Sequence, residues 1–467
     1  MRRTLRTALA GLLFAALVTG GTPAALAGTA GAISPGNQSY VIDAVWNQAK
    51  HALKGTETVS FTNLLPTALQ TIYLRTWPNG QRTGPRPCSA PYVTITAVQG
   101  GSIGHFLPGQ DPGDCTAVPI DLPTPLATGQ SHQVTVGFKD LVHGPEWNFR
   151  YGISGSATFM SNAFPILAVS DAYGTHLEPY NIKGESMYSI VASWDVTLTV
   201  PAGLQVPSTG EVTNTAYLPG GSKELTISAP AVRDFALAIG TFDVSEITHG
   251  GLTIRYFSQP RTKVAPADVL GWAVEAVDAY TAWYGPLDAT ELDMAEGTWA
   301  NNGFENPDFI MICATPGIVH HEVAHEWWYS MVGNNQYGSP WVDESLATFS
   351  THRLNGTNLG WNVTNPWRWS FGNVPLDTDM SAFPRGTHWN YWSVAYYGGG
   401  HVLEALRRTW GDGPFDQSMR YLQTTYHDGV ATTCDVENAI RMFAPPGFAV
   451  DDFLEYARIR PGVGTAC

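Results

Sequence analysis

Apolar residues alternate with other residues in several stretches of the N-terminal half of the chain. Two such series are Tyr40, Ile42, Ala44 and Trp46, and Trp194, Val196, Leu198 and Val200. A period of two predicts β-strands with one buried face, and the clusters of Gly, Pro and Asn between the series predict turns. We therefore predict a β domain over residues 40–245, built as an antiparallel sandwich or a saddle-shaped sheet.

The pattern changes to helical spacing near residue 246. Apolar residues recur every three to four positions between Pro266 and Tyr284, where Gly285 follows, and again between Phe415 and Tyr426. This spacing predicts amphipathic helices. The expected fold class is α+β multidomain: the β domain is followed by a mostly helical domain over residues 246–467.

The first 27 residues have the pattern of an export signal. Arg2, Arg3 and Arg6 precede an apolar run over residues 8–18, and small residues suited to cleavage end at Ala27. The run is too short to span a bilayer, and no other stretch reaches 18 apolar residues. We expect a secreted, extracellular protein with no membrane span in the mature chain, in which residues 28–39 form a linker.

The composition favours a folded protein that acts in solution. Hydrophobic residues make up 44% of the chain and charged residues 14%, which excludes a disordered chain. The formal net charge of −15 argues against nucleic acid or an anionic membrane surface as a partner, since both require a basic face. We expect a monomer.

The five cysteines fall into two pairs of neighbours and one single residue. Export permits disulfides. Pairing by neighbourhood joins Cys88 to Cys115 and Cys434 to Cys467, and leaves Cys313 free. Their spacing does not indicate a zinc cluster.

Two histidines are spaced for metal binding on a predicted helix. Thr315 can cap this helix, Pro316 can occupy its first position, and Gly333 can end it. His321 and His325 are four residues apart, so both imidazoles face the same direction. That arrangement lets them ligate one ion at about 2.0–2.1 Å from each nitrogen.

Two glutamates complete the pattern. Glu322 is rotated by about 100° from His321 on the helix, so it can reach a water on the ion instead of the ion itself. Eighteen residues separate His325 from Glu344, which lies early in a further predicted helix that ends near Asn355. Two nitrogens, one carboxylate and an open fourth position describe a catalytic zinc site, with one zinc ion per chain. The alternative is that both histidines only form hydrogen bonds in a core.

The combination of these residues resembles the gluzincin aminopeptidases, the family of aminopeptidase N and leukotriene-A hydrolase. The resemblance rests on H-E-x-x-H over residues 321–325, the spacing to Glu344, and the surrounding segments 327–329, 332–336 and 340–344. It extends upstream to residues 164–169 and 40–63. It implies a thermolysin-like fold for the catalytic domain and peptides as substrates.

The resemblance also implies two further site residues. The segment Asn-Gly-Phe-Glu-Asn at 302–306 is similar to a family segment, Gly-x-Met-Glu-Asn, whose glutamate binds the α-amine of the substrate, so Glu305 takes that role. The segment at 396–400 is similar to Tyr-x-Lys-Gly, with Gly398 in place of the lysine, and Tyr396 becomes the oxyanion stabiliser. Tyr397 is the competing candidate, and a surface position is the alternative for Glu305.

One expected residue has no clear counterpart. The family adds a second acidic or amide residue from the β domain to the amine site, but the matching region 162–169 holds no Glu or Gln. The segment Lys-Gly-Glu-Ser at 183–186 is assigned no chemistry. Asp343 and Glu326 are interpreted as structural, and His320 and His401 as supporting or core residues.

The expected function is a zinc-dependent metalloaminopeptidase in which Glu322 acts as the general base. Alternatives on the same scaffold are an endopeptidase and an epoxide hydrolase. A further alternative from another class is an extracellular binding protein with a vestigial zinc site.

Overall fold

The computed structural model describes residues 33–81, 88, 91–142, 144, 150–260, 262–299, 302–357, 359, 374–383 and 391–459. The predicted export signal, residues 1–27, lies outside this set, as does most of the predicted linker, residues 28–39. The β-rich first half and the helices of the second half agree with the predicted order of a β part followed by a helical part.

The strands lie mainly in the first half of the chain. They are β1 (Gly36–Asn47), β2 (Ala52–Thr62), β3 (Leu69–Arg75), β4 (Val93–Gln99), β5 (Ser102–Ile103), β6 (Ala117–Leu126), β7 (Ser131–Leu141), β8 (Tyr151–Ser154), β9 (Ala157–Met160), β10 (Ile166–Leu167), β11 (Ser170–Asp171), β12 (Gly174–Thr175), β13 (Ala192–Pro201), β14 (Glu211–Leu218), β15 (Ser222–Val232), β16 (Leu237–Gly240), β17 (Asp243–His249), β18 (Leu252–Ser258), β19 (Glu291–Glu296), β20 (Gly303–Phe304) and β21 (Phe309–Ile312).

The main sheet of the first half has the strand order β14-β15-β13-β1-β2-β7-β4. Its neighbours are antiparallel except β1 and β13, which run parallel, with Tyr40 opposite Trp194. The prediction of a purely antiparallel domain is wrong for this pair. About 140 residues separate the two strands, and so long a connection can return the chain in either direction.

The two alternating series face the core between the sheets. Tyr40 and Trp194 are at most 1% exposed, and their rings stack with centroids 3.9 Å apart and planes 9° apart. A second sheet, of order β10-β3-β6-β5, contributes Ile72 and Leu74 to the same apolar cluster. The first half therefore contains two packed sheets, as its period of two predicted.

The second half is not purely helical. Strands β17–β21 form a mixed sheet of order β17-β18-β19-β21-β20, in which β18, β19 and β21 run parallel. The half remains mostly helical, as predicted, and this sheet is an addition that the sequence did not predict. The domain boundary placed at 245/246 falls inside β17, which pairs with β18 of this sheet.

Helices cover the sheet and fill the rest of the second half. They are α1 (Pro266–Tyr284), α2 (Pro316–Ala324), a π-helical segment (Glu326–Met331), α3 (Trp341–Leu354), a second π-helical segment (Trp392–Gly398), α4 (Gly399–Trp410), α5 (Asp412–Thr425), α6 (Thr433–Phe443) and α7 (Val450–Tyr456); short 3₁₀ turns occupy Gln48–Lys50, Trp77–Gln81 and Met380–Ala382. Within the described residues, no helix has the length and apolar character that crossing a bilayer requires.

The cysteines agree with the neighbourhood pairing where the structure describes them. Cys88 and Cys115 form a disulfide, with Cα atoms 5.5 Å apart, and Cys313 is free. The second predicted pair includes Cys467, which lies outside the described residues, and stays a prediction.

Candidate metal centre and substrate cleft

Helix α2 begins where the sequence predicted. The hydroxyl of Thr315 accepts the backbone N–H of Ile318, and Pro316 occupies the first turn. Because of the helical period, His321 and His325 point their rings to the same side, with centroids 4.8 Å apart.

The helix does not continue regularly to Gly333. It changes to a π-helical segment at Glu326, immediately after His325. Nδ1 of His325 lies 3.1 Å from the carbonyl oxygen of Trp328. A carbonyl only accepts, so Nδ1 carries the proton and Nε2 keeps its lone pair for a metal. Gly333 follows this segment and lies against the guanidinium of Arg233. A Cβ at position 333 would lie only 2.1 Å from Nη1 of Arg233.

Three donor atoms converge on one point. Nε2 of His321 lies 3.2 Å from Nε2 of His325 and 3.3 Å from Oε2 of Glu344. Nε2 of His325 lies 3.6 Å from Oε2 of Glu344, so the three atoms form a triangle. Donors about 2.0–2.1 Å from a tetrahedral zinc ion are about 3.3 Å apart. The triangle therefore fits zinc, with a fourth position left for water or substrate.

The charge balance around Glu344 also fits a cation. This residue is 1% exposed, and Oε2 has no hydrogen-bond donor among the described residues. Burial raises the pKa of Glu344 well above its usual value, and the nearby carboxylates of Glu185 and Asp343 raise it further. Burial also lowers the pKa of His321 well below its usual value, which keeps the ring neutral. A dication held by these donors offsets the cost of the buried carboxylate.

Asp343, interpreted from sequence as structural, supports the start of helix α3. Its Oδ1 accepts the backbone N–H of Glu344 at 2.9 Å and the side-chain amide of Asn334 at 3.0 Å, and its Oδ2 accepts Nε2 of Gln336 at 2.8 Å. These bonds fix the first turn of α3 and hence the direction of Glu344.

Glu322 lies beside the donor triangle with a free oxygen. Its Oε2 is buried and has no hydrogen-bond partner among the described residues. Burial raises its pKa to about 8. Strand β20 passes so close that a Cβ on Gly303 would lie 2.3 Å from Oε1 of Glu322, so a larger residue there would have to displace this carboxylate.

Glu305 is held by two donors from opposite sides. Nη2 of Arg150 lies 2.9 Å from its Oε2, and Nε2 of Gln336 lies 2.9 Å from its Oε1. Ligand atoms of Glu305, Glu322 and His325 all lie within 4.8 Å of one another. Glu305 is 3% exposed and lines the cleft, so it is not the surface residue of the alternative interpretation.

Glu185 requires a correction of the sequence analysis, which gave residues 183–186 no chemistry. It lines the same cleft, its Oε1 accepts Nη2 of Arg150 at 2.7 Å, and its Oε2 accepts the hydroxyl of Tyr391 at 3.0 Å. Arg150 thus joins Glu185 of the β-rich first half to Glu305 of the second half. Sequence reasoning missed Arg150, Glu185 and Gln336. The only signal for them was that the family has a second acidic residue in the β domain, for which the sequence analysis found no counterpart.

Tyr396 and Tyr397 differ in position. The ring of Tyr396 stacks on His321, with centroids 5.7 Å apart and planes 9° apart, whereas Tyr397 is 46% exposed and contacts His352. Burial raises the pKa of Tyr396 well above its usual value, so its phenol stays protonated at neutral pH. The geometry therefore favours Tyr396 over Tyr397 as a donor near the metal ligands.

The second π-helical segment, which carries Tyr396, is fixed to helix α3. The hydroxyl of Ser345 donates to the carbonyl oxygen of Ala395. Since Glu344 precedes Ser345, the third ligand and the phenol are positioned by one pair of packed elements.

A cavity of about 460 Å³ contains these groups. Its walls come from the loop at residues 182–185, the start of β20, helices α2 and α3, and the second π-helical segment. A cleft of this size accommodates several atoms of a peptide beside the metal ligands.

The chain has a mixed α/β fold with β-sheets in the first half and helices in the second, and His321, His325 and Glu344 form a candidate zinc site. No protein-family model matches the sequence. The chain is 27% identical over 191 residues to the puromycin-sensitive aminopeptidase of Caenorhabditis elegans, a match that covers 36% of this chain and 20% of that protein. The match thus spans about a fifth of the relative's length.

Solved structures resemble nearly the whole chain. The M1 zinc metallopeptidase of Deinococcus radiodurans has a TM-score of 0.65 and 16% sequence identity, covering 92% of this chain and 97% of that one. A mutant of that protein with a bound Tyr-Ser-Ala substrate has a TM-score of 0.64 and 16% sequence identity, covering 92% of this chain and 96% of that one. At this identity the likeness establishes the fold. The relative and the structural neighbours confirm the resemblance to the gluzincin aminopeptidases.

Proposed function

We propose that this protein is a zinc metallopeptidase that releases N-terminal residues from peptides, with one zinc ion held by His321, His325 and Glu344. Support for zinc comes from the donor triangle with edges of 3.2–3.6 Å and from the orphaned Oε2 of Glu344. Support for peptide hydrolysis comes from the likeness to proteins described as an aminopeptidase and as zinc metallopeptidases.

One observation favours an aminopeptidase over an endopeptidase: a carboxylate oxygen of Glu305 lies within 4.8 Å of ligand atoms of Glu322 and His325. In an amino-acid residue, the α-nitrogen and the carbonyl carbon are only about 2.5 Å apart. A substrate amine bound by Glu305 therefore leaves room for one residue before the bond that Glu322 and the metal site attack.

The charges near Glu305 suit a free ammonium group. Two carboxylates, Glu185 and Glu305, share the single positive charge of Arg150. One negative charge remains, and a protonated N-terminus can neutralise it. An acetylated N-terminus carries no such charge and is expected to bind poorly.

The residues have distinct roles in the proposed reaction. When bound, zinc polarises the scissile carbonyl group and lowers the pKa of a coordinated water. Glu322 accepts the proton of the attacking water on its free oxygen and returns it to the leaving amine. The phenol of Tyr396 donates a hydrogen bond to the oxygen on which negative charge develops. Glu305 holds the N-terminus in place throughout.

The test is hydrolysis of matched fluorogenic aminoacyl substrates with free and acetylated amines by the zinc-loaded protein. We expect release from the free-amine substrates only, loss of activity with a chelator, and at least a ~100-fold lower kcat for Glu322→Gln. Equal cleavage of the acetylated forms would instead indicate an endopeptidase. Zinc-loaded protein inert on all of them would contradict the proposal.

Two expectations from the sequence complete the proposal. We propose that the protein is exported by the signal over residues 1–27 and acts outside the cell as a monomer. Mass spectrometry of protein recovered from the medium should give an N-terminus at Gly28, and light scattering should give the mass of one chain. A retained N-terminal segment, or a dimer mass, would contradict these points.

A further inference from the structure

Lys183 occupies an unusual electrostatic position in the cleft. It is 6% exposed, its Nζ is buried, and no hydrogen-bond partner for Nζ exists among the described residues. It is also the single Lys or Arg among the described residues that line the cavity. An unpaired ammonium group removed from water is costly, so the position calls for an anion.

The acidic groups of the cleft do not supply that anion. Glu185 is bound by Arg150 and Tyr391, and Glu305 by Arg150 and Gln336. Glu344 faces the two histidine ligands. Glu322, whose Oε2 has no hydrogen-bond partner among the described residues, also lines the cleft. Within the described part of the chain, Lys183 lies within 4.0 Å of none of these four carboxylates.

The backbone around Lys183 is fixed. Oδ1 of Asn181 accepts the backbone N–H of Lys183 at 3.1 Å, and Nδ2 of Asn181 donates to the carbonyl oxygen of Met380 at 2.8 Å. The next residue, Gly184, lies against Tyr391, where a Cβ would approach the ring to 2.3 Å. The ammonium group is therefore presented from a rigid turn, which lowers the entropy cost of binding.

The spacing relates Lys183 to the amine site. Lys183 and Glu185 are two residues apart, so their Cα atoms lie within about 7 Å of each other. A cleft with carboxylates at one place and an ammonium group nearby matches a ligand with the opposite charges: an ammonium at one end and a carboxylate a short distance away.

From these contacts we propose that Lys183 forms a carboxylate-binding subsite, which takes a carboxylate of the peptide beyond the cleaved bond. The carboxylate comes either from the free C-terminus of a dipeptide or tripeptide or from an acidic side chain. This inference rests on the proposed peptidase function and adds a preference among its substrates.

The experiment compares Lys183→Met with Lys54→Met, a control that removes an exposed lysine from strand β2. Each zinc-loaded variant is assayed on Leu-Ala against Leu-Ala-amide, and on Leu-Glu-amide against Leu-Gln-amide. In the Glu322→Gln background, calorimetry measures binding of the same peptides without turnover. Thermal unfolding shows whether each variant is folded.

The proposal predicts that Lys183→Met lowers the preference for the charged member of one pair by about tenfold or more, in both kcat/KM and affinity. A change in the first pair identifies the C-terminus as the source, and a change in the second identifies the side chain. Lys183→Arg should retain the preference, and Lys54→Met should match the parent.

Two results would overturn the proposal, and they are distinguishable. In the first result, neutral and charged peptides are both cleaved, and the preference for the charged member of each pair is the same in Lys183→Met as in Lys54→Met. Lys183 then has no role in carboxylate binding. If the zinc-loaded parent neither cleaves nor binds any of the peptides, the proposed function itself fails and this inference fails with it.

Discussion

Nη2 of Arg150 lies 2.9 Å from Oε2 of Glu305, and neither side chain is more than 4% exposed. The same nitrogen lies 2.7 Å from Oε1 of Glu185. The guanidinium also lies over the ring of Phe304, 5.0 Å from its centroid. One buried cation thus orients the carboxylate that we assign to the substrate amine, and it links that carboxylate to the β domain.

Removal of this cation is the first prediction. Arg150→Met leaves two carboxylates buried without their partner, so the free energy of unfolding should fall by about 3–5 kcal/mol. Chemical denaturation measures the change. The double variant Arg150→Met/Glu185→Gln removes one of the stranded charges and should recover part of the loss. A double variant no more stable than Arg150→Met would contradict this assignment of the charges.

The Arg150 cluster could not be read from the sequence, whereas the metal ligands could. His321 and His325 are related by one helical turn, and a local period is visible in any sequence. Arg150 meets Glu185 and Glu305 across 35 and 155 residues. Such contacts are set by how distant parts of the chain pack together, which leaves no pattern along the sequence.

The second prediction concerns the metal ligand Glu344. Glu344→Gln removes the charged donor of the triangle, so zinc affinity should fall by more than the ~10–100-fold typical of changes in supporting residues. Zinc content after dialysis against buffered free zinc measures the affinity. Glu322→Gln is the matched control, since it changes a neighbouring glutamate outside the triangle and should bind zinc like the parent. Equal zinc binding by both variants would refute the ligand set.

Tyr396 gives the third prediction. Tyr396→Phe keeps the ring that stacks on His321 but removes the phenolic donor. We expect kcat to fall by roughly 100–1,000-fold with KM and zinc content little changed, because the hydrogen bond forms in the transition state. Tyr397→Phe, at the more exposed neighbouring position, should leave kcat close to that of the parent. If Tyr397→Phe has the larger effect, the assignment should be reversed.

The fourth prediction concerns pH and the β domain. Burial raises the pKa of Asp140 to about 8, and the hydroxyl of Tyr151 donates to its Oδ1. Between about pH 4 and 8 the unfolded chain has lost this proton while the folded protein keeps it. The group therefore lowers the free energy of unfolding by about 1.4 kcal/mol per pH unit as the pH rises through this range.

Asp140→Asn removes that titration. Denaturation of the parent and the variant at pH 5, 6 and 7 measures how the free energy of unfolding depends on pH. The slopes of the two proteins should differ by the contribution of about one proton. Parallel curves would show that Asp140 is ionised in the folded protein throughout this range.

Individual strands and helices could be predicted from the spacing of apolar residues, but the pairing of strands that are distant in the sequence could not. The alternation from Tyr40 to Trp46 identified a strand with one buried face, and the spacing from Pro266 to Tyr284 identified α1 with its bounds. The parallel pairing of β1 with β13 was missed, because the direction of a strand after a long connection leaves no pattern in the sequence. The sheet of β17–β21 was missed, because strands as short as Phe309–Ile312 do not show a period.

The most direct measurement is a time course of products from a ten-residue peptide with a free N-terminus, followed by mass spectrometry with the zinc-loaded protein. The account predicts a ladder of products that lose one residue at a time from the N-terminus, with no internal fragments, and no products from the same peptide after N-acetylation. Internal fragments, or equal degradation of the acetylated peptide, would contradict the placement of the substrate amine at Glu305.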